Sequence, residues 1–121
     1  MTYTICMSCI FKNIMSTWPN KKSDSVLYAL LESKIRAGNY VFLKHAKERQ
    51  KERFISDLDV LNILEGKKFR DRTRNYVKDQ YKDGYQDWNY CIEGVNMDKD
   101  KIRIIISFLD DLMPIITVIR L

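Results

Sequence analysis

Apolar residues along this chain recur first at helical and later at strand spacing. Val26, Leu27, Leu30, Leu31 and Ile35 lie three and four positions apart, which lines one face of an α-helix. Ser23 or Asp24 stands at the N-cap position before them, and Gly38-Asn39 follows where a helix commonly ends. Tyr40-Val41-Phe42-Leu43 predicts a short strand, and a second helix, carrying His45, follows at once and runs to about Arg53. Ser56-Asp57-x-Asp59 caps a third helix with apolar positions Leu58, Val60, Leu61, Ile63 and Leu64, and Gly66 stops it. After residue 86 the pattern changes. Residues 88–95, 101–108 and 115–120 are three β-branched or aromatic runs, separated by turns at 96–100 and 109–111. They predict a three-strand antiparallel meander. The order of helix, strand, helix, helix and sheet makes this an α+β two-layer domain, with N-terminal helices packed on an antiparallel β-sheet.

A length of 121 residues suits one domain with a modest core. Residues 23–121 form that domain. Residues 1–22 differ from it in composition and read as an N-terminal extension. They are apolar, contain Cys6-x-x-Cys9 and end in Trp18-Pro19-Asn20-Lys21-Lys22. Either Met15 is the true initiator or the first residues form a short element packed on the body. The opening run lacks a basic region before its apolar part and is too short to span a membrane. Three cysteines and no leader predict a reducing cytoplasm rather than a disulfide framework.

The net charge of +5 is concentrated in the middle of the chain. Residues 34–82 hold fourteen basic against seven acidic side chains, whereas residues 83–121 hold four against seven. An anionic partner therefore belongs to the middle third. Within it, His45, Arg49 and Arg53 follow at intervals of four and stack on one helix face. Imidazole ordinarily titrates near neutral pH and guanidinium stays charged, so this stripe suits holding a phosphodiester and moving a proton beside it. A solvated basic face is the plainer alternative, with Glu48 and Glu52 neutralising it in part through surface ion pairs. Between residues 67 and 86, Lys67, Lys68, Arg70, Arg72, Arg74, Lys78 and Lys82 alternate with Phe69, Tyr76, Tyr81 and Tyr85. That composition fits phosphate contacts and base stacking, or equally a charged loop. Alternation over 69–74 also allows an edge strand.

Other chemistries have little support. The Cys6-x-x-Cys9 pair is half of a ribbon-type zinc site, with Cys91 and His45 remote in sequence, so no metal and no cofactor are expected. The chain has no P-loop, GxGxxG, GxSxG or HExxH motif.

The signature His45-Ala46-x-x-Arg49-x-x-x-Arg53-x-Ile55-Ser56-x-x-Asp59-Val60, followed by Leu64-x-Gly66 and a closing Ile-Ile-Thr-Val-Ile-Arg, resembles a small bacterial domain family of uncharacterised function. Its members are often encoded beside zinc-finger antitoxins of the YgiT type. The order of elements over residues 25–121 is also similar to that of MqsR and, more distantly, of RelE-like messenger-RNA interferases. This resemblance implies a RelE/MqsR-like fold and metal-independent cleavage of messenger RNA, with or without the ribosome. It also implies the role of toxin in a type II toxin–antitoxin system, with an antitoxin as partner. Trp88-Asn89 corresponds to a Trp-Gln pair in MqsR, and Arg120 to a lysine after its last strand. The strand beginning at Lys101 and Arg103 lacks the MqsR tyrosine, so either His45 carries proton transfer or the catalytic pair is assembled differently.

The expected catalytic set is His45, Arg49, Arg53 and Arg120. The expected RNA-binding set is Arg70, Arg72, Arg74, Tyr85, Lys101 and Arg103. Two other classes compete with a ribonuclease: a non-catalytic RNA- or ribosome-binding module, and a protein-interaction domain that pairs through its sheet edge.

Overall fold

The computed structural model describes residues 18–66 and 72–121. Helix α1 spans Asp24–Ala37, strand β1 Tyr40–Phe42, helix α2 Lys44–Arg53 and helix α3 Asp57–Glu65. Strand β2 (Arg72–Arg74), a 3₁₀ turn (Tyr76–Lys78) and strands β3 (Tyr90–Val95), β4 (Lys101–Ile106) and β5 (Met113–Arg120) follow. The helix punctuation lies where the polar residues predict it. Ser23 accepts from the Val26 N–H at the start of α1, and Ser56 and Asp59 form a reciprocal capping box on α3. Gly38 (φ 73°) and Gly66 (φ 70°) end α1 and α3 in the left-handed region, which glycine adopts without a Cβ clash.

The sheet order is β1-β5-β4-β3-β2. The meander β3-β4-β5 is antiparallel as expected, and β2 adds to β3 as a short antiparallel edge. The sheet is not wholly antiparallel, because β1 pairs with the start of β5 in parallel, with Tyr40 opposite Met113 and Phe42 opposite Ile115. A parallel partner requires a crossover, and here the chain between the two strands contains most of the fold.

Register sorts the side chains into two faces. Ile92, Ile104 and Val118 are cross-strand neighbours, as are Tyr90 and Ile106, and all five are buried. They meet Leu27 and Leu31 of α1, Ala46 of α2, and Val60, Ile63 and Leu64 of α3 in one core. Burying an aliphatic side chain of this size contributes about 1.5–3 kcal/mol, so this layer is the main source of stability. Among the described residues no helix is long and apolar enough to cross a membrane.

Residues 18–22, the described part of the predicted extension, are fastened to the body. The Trp18 ring lies 5.0 Å from that of Tyr81 and 5.8 Å from that of Trp88. The Trp88 indole donates to the Pro19 carbonyl at 2.7 Å, and Lys22 pairs with Asp87 at 2.7 Å. The Cys6-x-x-Cys9 pair, Met15 and the segment 67–71, with Arg70, lie outside the described residues.

Candidate functional site

The position of α2 follows from the shortness of β1. After three residues β1 stops, the Leu43 N–H donates to the Ile115 carbonyl at 2.9 Å, and the chain turns into α2. Residues 116–120 of β5 consequently have no strand on that side, and α2 packs there instead, covering an edge that would otherwise invite pairing. Local sequence does little to start this helix. Leu43 supplies no side-chain cap and the first turn carries no carboxylate, although both normally stabilise a helix N-terminus. Tertiary contact fixes it: Ala46 and Gln50, four residues apart, are its buried positions.

Burying Ala46 and Gln50 turns the next face of α2 toward the rim of β5. His45, Arg49 and Arg53 line a groove of about 180 Å³ together with Thr117, Val118 and Ile119. The stripe expected from spacing is therefore one wall of a cleft. Among the described residues, neither the His45 ring nor the Arg53 guanidinium has a hydrogen-bond or ion-pair partner. Arg49 has only an exposed contact with Glu52 at 3.7 Å, of the kind that contributes little. The guanidinium donors of the groove thus remain open to an anion, and Thr117 belongs to the opposite wall.

The other expected site residues are distributed differently. Arg120 does not line the groove. Its Nη2 donates to the Arg53 carbonyl at 2.7 Å and lies 3.4 Å from Asp100, so it anchors the end of α2. Arg72 donates to the Leu64 carbonyl, lies 3.4 Å from Glu32 and stacks 4.2 Å above the Tyr28 ring. A Cβ at Gly66 would collide with its guanidinium. Arg74 is 1% exposed, donating to Asp79 and Asp24 at 3.0 Å each. Burial lowers the Arg74 pKa, but the hydrogen bonds it donates to Asp79 and Asp24 outweigh it and hold the group firmly charged. Arg103 pairs with Glu93 at 2.8 Å on the sheet face opposite the core. Lys101 is exposed and borders a shallow depression with Arg72, Thr73 and Glu93. Tyr85 lines a separate apolar groove with Val41, Leu43, Phe108, Leu112 and Ile116, and Tyr81 donates to the Tyr85 carbonyl at 2.8 Å.

One lining residue and one neighbour of the groove escape sequence reasoning. Thr117 enters the groove only through the position of β5 beside α2, which spacing does not encode. Phe54, next to Arg53, ends α2 with 89% of its surface exposed. Its position after a basic helical run was the only signal.

A family model matches residues 42–120, a span that contains α2, the sheet from the end of β1 onward, and every residue of the groove. The chain belongs to the DUF4258 family. Its description is a domain of unknown function. No curated protein and no solved structure matches the chain. DUF4258 membership covers both walls of the α2–β5 groove, whereas α1 lies outside the matched span.

Proposed function

We propose that this DUF4258 protein binds single-stranded RNA in the α2–β5 groove and cleaves it without a metal ion. The observation that carries this reading is the convergence of His45, Arg49 and Arg53 in one groove, with two of the three free of protein partners among the described residues. Two guanidinium groups four residues apart suit the non-bridging oxygens of a phosphodiester, which they hold by charge-assisted hydrogen bonds. His45 takes the proton from the adjacent 2′-hydroxyl, the 2′-oxygen attacks phosphorus, and the bond from phosphorus to the 5′-oxygen breaks. Arg49 and Arg53 stabilise the added negative charge in the transition state. The leaving 5′-oxygen takes a proton from water, the hydroxide so formed recovers the proton from the His45 imidazolium, and the products are a 2′,3′-cyclic phosphate and a 5′-hydroxyl. Arg120 acts as a positioning residue through its bond to the Arg53 carbonyl.

The resemblance to MqsR and RelE-like interferases supports a wider reading: the toxin of a type II toxin–antitoxin pair, acting on messenger RNA in the cytoplasm and masked by a zinc-finger antitoxin. Incubating an unstructured RNA with the purified protein in EDTA tests the chemistry. Wild type is expected to cut, whereas His45→Ala and Arg49→Ala keep their circular dichroism and do not. Absence of cleavage by wild type, on naked RNA and on ribosome-bound message alike, overturns the catalytic reading and leaves an RNA-binding module.

A further inference from the structure

All three helices end on a residue in the left-handed region. In α1 and α3 that residue is glycine, and in α2 it is Phe54, with φ 55° and ψ 43°. A residue with a Cβ adopts this conformation only at an energetic cost. Packing does not offset that cost here, because the Phe54 ring is almost wholly exposed.

The backbone around it is held from several sides. The Phe54 N–H donates to the Gln50 carbonyl, and so does the Ile55 N–H at 2.9 Å. The Gln50 side chain donates back to the Ile55 carbonyl at 3.4 Å, and Arg120 holds the Arg53 carbonyl. Ile55 itself is buried in the core. An unfavourable conformation that the surroundings over-determine is a common property of functional residues. Here a firmly held backbone presents an exposed aromatic side chain directly after Arg53, a residue of the groove.

We propose that Phe54 is a stacking platform for a nucleobase of single-stranded RNA, beside the phosphodiester held by Arg49 and Arg53. The proposal rests on the RNA reading above and adds a contact that reads the base rather than the phosphate. Charge selects this occupant. Exposed Lys51 and Arg53 precede Phe54 on α2, and an apolar protein surface that covered Phe54 together with Arg53 would desolvate the unpaired Arg53 guanidinium at a high cost. A single strand offers both a planar face for the ring and an anion for the guanidinium.

The test is fluorescence-anisotropy titration of a labelled, unstructured 2′-deoxy-protected oligoribonucleotide with the full chain, alongside thermal melting. Phe54→Gly is expected to weaken binding about 5- to 150-fold, the range for losing one stacked base, without lowering Tm, since glycine suits the backbone. Phe54→Trp is expected to bind at least as tightly as wild type. Phe54→Leu keeps the Cβ and removes only the ring, so it must lose binding as glycine does. Wild-type affinity in Phe54→Leu overturns the proposal, whatever the stability of the glycine variant. If Arg49→Ala weakens binding while Phe54→Gly and Phe54→Leu do not, the RNA reading stands and Phe54 serves a protein partner instead. No binding by wild type at low salt overturns both.

Discussion

Arg53 and Arg74 are the same residue in two regions of one molecule, and they do opposite things. Arg74 sits on edge strand β2, where Asp79 and Asp24 accept from its Nε and Nη1, Asp79 also lies 2.8 Å from Nη2, and its side chain is shut away from water. Around it lies a polar network: the Tyr90 hydroxyl donates to Asp87 at 2.7 Å, and the Cys91 N–H donates to Asp79 at 2.8 Å. Burial together with the Asp87 contact keeps the Tyr90 hydroxyl protonated far above its ordinary range. Arg53 is exposed at the end of α2 and its guanidinium has no partner among the described residues. A basic residue's availability to a ligand therefore depends on whether the fold has already used its hydrogen-bond donors.

The largest expected effect tests the structural side of this contrast. Arg74→Ala leaves Asp79 buried without its main counter-charge, and breaking such a pair typically costs about 3–5 kcal/mol. Urea unfolding is expected to show that loss for Arg74→Ala and a change within about 0.5 kcal/mol for Arg53→Ala. Equal losses in the two variants would break the comparison.

On the functional side the ranking reverses. Arg49→Ala and Arg53→Ala are each expected to weaken RNA binding by about 1.5–3 kcal/mol, the scale of a hydrogen bond to a charged group. Each should also reduce the magnitude of the log–log salt slope by about one. Titrations across a salt series check both numbers.

A smaller effect concerns the turn between α2 and α3. Burial raises the Asp57 pKa, but hydrogen bonds from Lys47, at 2.7 Å to Oδ1, and from Gln50 outweigh it and leave the carboxyl below its ordinary value. A lowered folded-state pKa means that the carboxylate stabilises the fold above its unfolded pKa of 3.8. That contribution is lost as pH falls through the folded value. Melting temperatures measured from pH 6 to pH 2 should therefore fall less steeply for Asp57→Asn than for wild type.

The smallest effect is chemical. Burial, helped by the Glu93 charge, pushes the Cys91 thiol up to about 11. At neutral pH it stays protonated and a poor nucleophile. Peptide mass spectrometry after iodoacetamide treatment should find Cys91 unmodified in the folded protein and alkylated in urea.

Local chemistry made much of the fold legible in the sequence. Ser23, Ser56 and Asp59 cap helices through atoms a few residues away, and Gly38 and Gly66 end them through their own backbone freedom. The runs 88–95, 101–108 and 115–120 read as strands because β-branched and aromatic side chains fit a pleat, and the strands formed are Tyr90–Val95, Lys101–Ile106 and Met113–Arg120. The parallel pairing of β1 was not legible, since a three-residue strand has no signal for its partner 73 residues away. The site was legible by half. Intervals of four put His45, Arg49 and Arg53 on one face of a helix, but that face became a groove wall only when β5 arrived opposite. Arg72 and Arg74 looked like RNA contacts in a basic, aromatic segment, and the folded chain engages both with carboxylates and carbonyls. Phe54 could not be distinguished from a core aromatic until its exposure was known.

The sequence by itself determined the helices, the meander, the concentration of positive charge in the middle third and the three-residue cationic stripe. Each depends on contacts within a few residues or on composition. The tertiary structure alone decided which arginines are already partnered, that α2 covers the free rim of β5, and that Arg120 holds the end of α2. Those outcomes depend on groups such as Arg74 and Asp24, or Arg120 and Arg53, that lie 50 and 67 residues apart. Such pairs meet only after the core of isoleucine, leucine and valine has fixed the register of the sheet.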